Sequence, residues 1–183
     1  VDQAARTATL DHVFADDVVA SVVVTVSDGE ESGSDSFVLT VANAPPVVTM
    51  GGPETIDEGS VWTRAGSYTD PGVNDVHTAT VTFADGSGEQ PLGLNGAAFA
   101  VSHTWADDGV FPVAVAIWDG DDTGGATVSV TVRNVAPAIA PIAAPTLAVA
   151  QAWATSVTFT DPGADTWTLV ADYGDGATAT KVL

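Results

Sequence analysis

The chain repeats itself at a fixed interval, and that interval limits its architecture more than any single residue does. His12-Val13-Phe14-Ala15-Asp16-Asp17 returns as His103-Thr104-Trp105-Ala106-Asp107-Asp108, a displacement of 91 residues. At the same displacement Asp28-Gly29 returns as Asp119-Gly120, and Asn43-Ala44-Pro45-Pro46 as Asn134-Val135-Ala136-Pro137. Trp62 returns as Trp153, Tyr68 as Phe159, and Thr69-Asp70-Pro71-Gly72 as Thr160-Asp161-Pro162-Gly163. After one deletion, Asp85-Gly86 matches Asp175-Gly176, while His77 has no counterpart and stands alone. The repeat is cut out of phase. Residues 45–136 read as one complete unit, 1–44 as the C-terminal half of another, and 137–183 as the N-terminal half of a third.

Alternation sets the strand assignment, because side chains two apart share a sheet face. Val18, Ala20, Val22, Val24 and Val26 form one apolar face, interleaved with Val19, Ser21, Val23, Thr25 and Ser27. The later copy keeps that face apolar with Phe111, Val113, Val115 and Ile117, which marks it as the core face. Phe37, Leu39 and Val41, matched by Val128, Val130 and Val132, give the following strand the same period, so the two strands are expected to pair as a hairpin. Ser27-Asp28-Gly29 in one copy and Asp119 to Gly125 in the other supply the connecting turns, where glycine accepts positive φ. Strands near 60–66, 77–84 and 97–103 bring the unit to about seven, the number of a two-sheet sandwich.

These motifs resemble the PKD (polycystic kidney disease) domain family. Its Trp-Asp-Phe-Gly-Asp-Gly signature is partly kept as Val81-Thr82-Phe83-Ala84-Asp85-Gly86 and better kept as Ala171-Asp172-Tyr173-Gly174-Asp175-Gly176, both without the leading Trp. The downstream His-x-aromatic element with its acidic turn is present at His103 to Gly109 and at His12 to Val18, the latter without the glycine. The resemblance implies an all-β chain of tandem immunoglobulin-like sandwiches, here one complete and two complementary halves. It further implies an extracellular or cell-surface location and a role as spacer, adhesion unit or accessory module.

The charge balance narrows the partners. With 24 acids against four bases (Arg6, Arg64, Arg133, Lys181) the formal charge is −20, so the chain has almost nothing with which to neutralise phosphate. Nucleic acid and anionic lipid are therefore poor partners, and cations and cationic surfaces better ones. So many acids must be hydrated, screened or bound to divalent ions, and calcium is the cofactor this balance suggests. The chain contains no cysteine, which rules out thiol catalysis and disulfides. No apolar run of about eighteen residues offers a membrane span.

Candidate sites follow from the acidic turns and the tryptophans. Asp107, Asp108, Asp119, Asp121 and Asp122 could supply hard oxygen ligands to calcium from separate loops, since no EF-hand loop is present. His12 and His103 recur at one position and read as buried residues bonding loop backbone beside an aromatic. Trp62, Trp105 and Trp153 occupy recurring positions and are expected in the core. Trp118 lies on the outward phase of its strand and Trp167 is flanked by Thr, leaving these two as candidate ligand-binding residues for polysaccharide or protein. Carboxylates that recur in every copy mark a fold motif rather than an acid–base pair. No nucleophile elbow, zinc motif or phosphate loop is present, so the chain reads as a non-enzyme.

A half-sandwich leaves a bare apolar face and unpaired edges, so 1–44 and 137–183 need partners. Neighbouring copies, or neighbouring repeats of one long polypeptide, could provide them head to tail. That arrangement does not close and so builds a filament by strand complementation. The alternative is an accessory module of a secreted hydrolase that binds carbohydrate or protein through exposed tryptophan.

Overall fold

A computed structural model describes residues 6–183, and every element in it is a β-strand. The chain opens with a hairpin, β1 (Val18–Ser27) and β2 (Ser32–Val41). There follow β3 (Val47–Thr49), β4 (Glu54–Asp57), β5 (Trp62–Thr69), β6 (Thr78–Thr82) and β7 (Glu89–Leu92). Next come β8 (Leu94–Asn95), β9 (Ala98–His103), β10 (Gly109–Trp118) and β11 (Thr123–Arg133). The chain ends with β12 (Ala138–Ile139), β13 (Phe159–Thr160), β14 (Thr168–Asp172) and β15 (Thr178–Val182).

Strands β3 to β11 make a two-sheet sandwich of the immunoglobulin-like kind. One sheet has the order β4-β11-β10-β6-β7 and the other β3-β5-β9-β8. The pieces outnumber the expected seven strands because two edge strands break and change sheet. Between β3 and β4 stand Gly51-Gly52-Pro53, with Gly51 at φ 73°, and the chain passes from the smaller sheet to the larger. Gly93 separates β7 from β8 and the chain passes back. Pro91 is tolerated in β7 because that strand is an edge of its sheet.

The predicted core face of β10 is the core. Val113, Val115 and Ile117 are buried, as are Val128, Val130 and Val132 on β11. Across the sandwich they meet Trp62, Tyr68, Phe99 and Val101, and Trp105 closes one end of the cluster. Phe111 is only half-buried, stacked on Trp105 at 5.4 Å. The predicted 119–125 turn is shorter than expected, since Thr123, Gly124 and Gly125 already belong to β11. Gly124 is required there. A side chain at that position would run into the backbone of Pro46 as the chain enters the sandwich.

The flanking segments form three small sheets of their own: β1-β2, β12-β13 and β14-β15. The registers of β1-β2 and β12-β13 reproduce those inside the sandwich. Val18 faces Val41 and Ser27 faces Ser32, just as Gly109 faces Val132 and Trp118 faces Thr123, each pair 91 residues on. Ala138 faces Thr160 and Ile139 faces Phe159, as Val47 faces Thr69 and Val48 faces Tyr68. Their apolar sides, however, are uncovered. Val26 is 71% exposed where Ile117 is fully buried, and Phe37, at the position of the buried Val128, is also exposed. Trp153, expected in the core, is among the exposed apolar residues for the same reason.

Candidate cation sites where the flanking segments meet the sandwich

Two acidic clusters lie where the sandwich touches its neighbours in sequence. The first joins the Asp16-Asp17 turn ahead of β1 to the Asp70-Pro71-Gly72 loop after β5. Here Val73 N–H donates to the Ala15 carbonyl at 3.2 Å. The second joins the Asp107-Asp108 turn ahead of β10 to Asp161-Pro162-Gly163, and Ala164 N–H donates to the Ala106 carbonyl at 2.7 Å. Donor and acceptor in the second bond are each 91 residues beyond those in the first. The turn sequence recurs with its docking bond intact.

At each contact the loop aspartate caps its own turn. Gly72 N–H donates to Asp70 Oδ1 at 3.0 Å, and Gly163 N–H to Asp161 Oδ1 at 2.9 Å. A ring nitrogen reaches the other oxygen: His77 Nε2 lies 3.0 Å from Asp70 Oδ2, and Trp167 Nε1 donates to Asp161 Oδ2 at 3.1 Å. His77 therefore has a counterpart, hidden at the 91-residue spacing because the deletion that aligns Asp85 with Asp175 falls before it. The same shift matches Asp75 with Asp165.

The electrostatics agree. Burial, then the charges of Asp16, Asp70 and Asp119, push the Asp75 carboxyl above its ordinary value, with His77 opposing them. Burial, then Asp161, Asp107 and Asp108, push Asp165 up. At the first contact Asp70, Asp75 and His77 place ligand atoms within 4.8 Å of one another, and so do Asp16, Asp17 and Asp75. At the second the same holds for Glu58, Asp107 and Asp108, and for Glu58, Asp161 and Asp165. Glu58, which sequence reasoning passed over, belongs to both sets. Its signal was present as Asp57-Glu58-Gly59, whose counterpart Ala148-Val149-Ala150 carries no charge.

The five aspartates proposed as calcium ligands separate into two places. Asp107 and Asp108 sit in the second cluster. Asp119, Asp121 and Asp122 form the β10–β11 turn, where Asp119 Oδ1 accepts from Asp121 N–H at 2.9 Å and from Asp122 N–H at 2.7 Å. Asn43 donates its side-chain amide to Asp119 Oδ2 at 2.9 Å and to Asp122 Oδ2 at 3.2 Å. These bonds hold the Asp119 carboxyl down to about 2, the Asn43 amide contributing most. Asn43 thus ties the incoming chain to the turn.

The histidines differ from expectation. His103 bonds a side chain and not loop backbone: its Nε2 lies 2.6 Å from Asp85 Oδ2, and its ring stacks on Phe83 at 3.9 Å. Burial acts to raise the Asp85 carboxyl, but hydrogen bonds from Ser87 and His103 outweigh it and leave it at about 2. His12 is exposed, with its ring edge-on to Phe14 at 4.7 Å. Of the two tryptophan candidates, Trp118 is 49% exposed at the end of β10. Trp167 is half-buried, packed edge-on to Phe159 at 5.5 Å, and lines a cleft of about 500 Å³ with Ile139, Val157 and Leu169.

The complete unit is thus a two-sheet sandwich of the immunoglobulin-like kind with bonded acidic turns at its approaches. Residues 43–133 match the family model of the PKD domain, and through this stretch the chain belongs to that family. Such domains are in general non-catalytic modules of extracellular and surface proteins. No curated protein matches the chain. Among the described residues, no helix is long and apolar enough to cross a membrane.

Proposed function

We propose that this chain is a segment of an extracellular structural or adhesive fibre made of PKD domains in series, divided as 1–44, 45–136 and 137–183. In this reading, residues 137–183 of one segment are completed head to tail by residues 1–44 of the next. The observation that carries the reading is the β1–β2 hairpin, which has the register of β10–β11 but an uncovered apolar face.

The sequence supplies a matching partner. In the sandwich β10 lies beside β6 with Ala116 opposite Thr80, and the corresponding residues of the flanking strands are Thr25 on β1 and Val170 on β14. Joining β1 to β14 gives the order β2-β1-β14-β15, the counterpart of β11-β10-β6-β7. Side-chain volumes agree with this pairing. In the sandwich Gly66 stands opposite Phe99, and in the proposed pairing Val157 would face Ala8 at the equivalent positions, so a small–large pair would become a medium–small one. The cleft beside Trp167 and Val157 is the apolar surface that the hairpin would cover.

The absence of cysteine makes the test simple. Thr25→Cys in one preparation is mixed with Val170→Cys in another and oxidised, because directly opposed residues in an antiparallel pair have Cβ atoms about 5 Å apart. Disulfide-linked dimers are expected from the mixture, and a ladder of multimers from the double variant. An internal disulfide in a monomeric double variant would overturn the head-to-tail arrangement. Chains that stay monomeric and unlinked would overturn complementation altogether.

A further inference from the structure

Among the described residues, Glu58 is the most deeply buried of the acids that have an unpartnered oxygen. It is 2% exposed, lies in the turn after β4, and carries a full carboxylate. Its Oε1 accepts from Val135 N–H at 2.8 Å, whereas its Oε2 is buried with no hydrogen-bond partner. Burying a carboxylate oxygen without a partner is expensive, and such groups are normally paired or bound to a metal. The two bases of the sandwich do not serve it: Arg64 bonds Glu54 at 2.7 Å and Arg133 bonds Asp57 at 2.9 Å.

What surrounds Glu58 is negative. Asp107 and Asp108 approach from the turn before β10, and Asp161 and Asp165 from the segment after the sandwich. The backbone is drawn in tightly around them. A side chain on Gly59 would meet Pro162 Cβ at 2.7 Å, and one on Gly163 would meet Asp165 Oδ2 at 2.6 Å and Glu58 Oε1 at 2.7 Å. Gly59 N–H also donates to the Trp105 carbonyl at 2.9 Å.

We propose that Glu58 is the centre of a divalent-cation site, taking calcium, that ties the sandwich to the following segment through Asp107, Asp108, Asp161 and Asp165. All five ligands are carboxylates. Neither set containing Glu58 has a histidine, and the chain has no cysteine, which disfavours zinc. Calcium accepts six to eight oxygens in irregular geometry, whereas magnesium demands a near-ideal octahedron and keeps its waters. The first contact differs in this respect. There Asp16 Oδ1 and Asp75 Oδ2 are likewise buried without a hydrogen-bond partner, but neither residue is fully buried as Glu58 is, Asn74 donates its amide to Asp16, and His77 meets Asp70, so the argument is made for the second contact. The site draws on one chain and does not depend on how chains pair.

Terbium luminescence on the full chain tests the site, because Trp105 and Trp167 flank it as antennae. Tryptophan-sensitised emission is expected to saturate with terbium chloride. Calcium chloride should displace it at roughly 10⁻⁴–10⁻³ M, the range of extracellular calcium modules. Glu58→Gln keeps an acceptor for Val135 N–H, so its melting curve in EDTA should match the unaltered chain while its calcium affinity falls at least about tenfold. Asp165→Asn, on the opposite side of the contact, should weaken binding similarly, and Asp35→Asn, exposed on β2 and outside both clusters, should not. Unchanged affinity in Glu58→Gln, unchanged affinity in Asp165→Asn, or no saturable emission from the unaltered chain would each overturn the proposal.

Discussion

The hairpins β1–β2 and β10–β11 are the same local structure in two environments. Both run ten paired residues in identical register, and both carry an alternating apolar face, although Asp35 on β2 stands where β11 has Ala126. Only the second is part of a core. On its far edge β10 bonds β6, and across the sandwich it faces Trp62 and Phe99, so Val115 is 1% exposed. Val24, its counterpart, is half-buried with no second sheet over it. Hairpin geometry is therefore a local property here, fixed by alternation and by the turn. Burial depends on a partner distant in sequence.

The largest expected effect tests that division directly. Val115→Asp places a charge in the core and should cost more than about 4 kcal/mol, abolishing the sandwich's cooperative transition in tryptophan fluorescence. Val24→Asp should leave that transition in place, and an equal loss would mean that the two hairpins share one folding unit. Next in size is Gly66→Ala, whose new methyl meets the Phe99 ring and lies 2.8 Å from the Thr49 carbonyl. A cost of about 1–3 kcal/mol is expected in denaturant titration. The equivalent Val157→Ala, beside an open cleft, should leave the sandwich transition unmoved.

Smaller effects separate the two turns. Asp28 and Asp119 each accept backbone N–H groups from their own turn, but only Asp119 also receives Asn43. Asp119→Ala is expected to lower the melting temperature more than Asp28→Ala, and Asn43→Ala should recover most of the difference. Acid provides the last comparison. Asp85 and Asp119 have folded-state values near 2 against an ordinary 3.8, so both stabilise the fold above the ordinary value. That contribution declines as pH falls from about 3.8 toward 2, which a series of urea melts between pH 5 and 2 would record. Asp85→Asn should flatten part of the decline.

Much of this was legible beforehand, and the omissions have physical causes. The strand hairpins, the core face of β10 and the buried Trp62 and Trp105 were visible because they follow from alternation and recurrence. The partner of His103 was not. Asp85 is 18 residues away, and only the approach of β9 to the loop after β6 brings them together. Glu58 was missed because its own copy lacks an acidic counterpart, so a search for recurrence passes over it. His77 looked solitary because a single deletion hid Trp167.

The sequence by itself determined the period, the strands and the hairpin registers, because alternation and turn residues act over a few neighbours. Tertiary structure decided which faces are buried, that the chain changes sheet between β3 and β4 and between β7 and β8, and which acids collect around Glu58. Those outcomes depend on groups from separate loops meeting in space, and a spacing along the chain does not encode such a meeting.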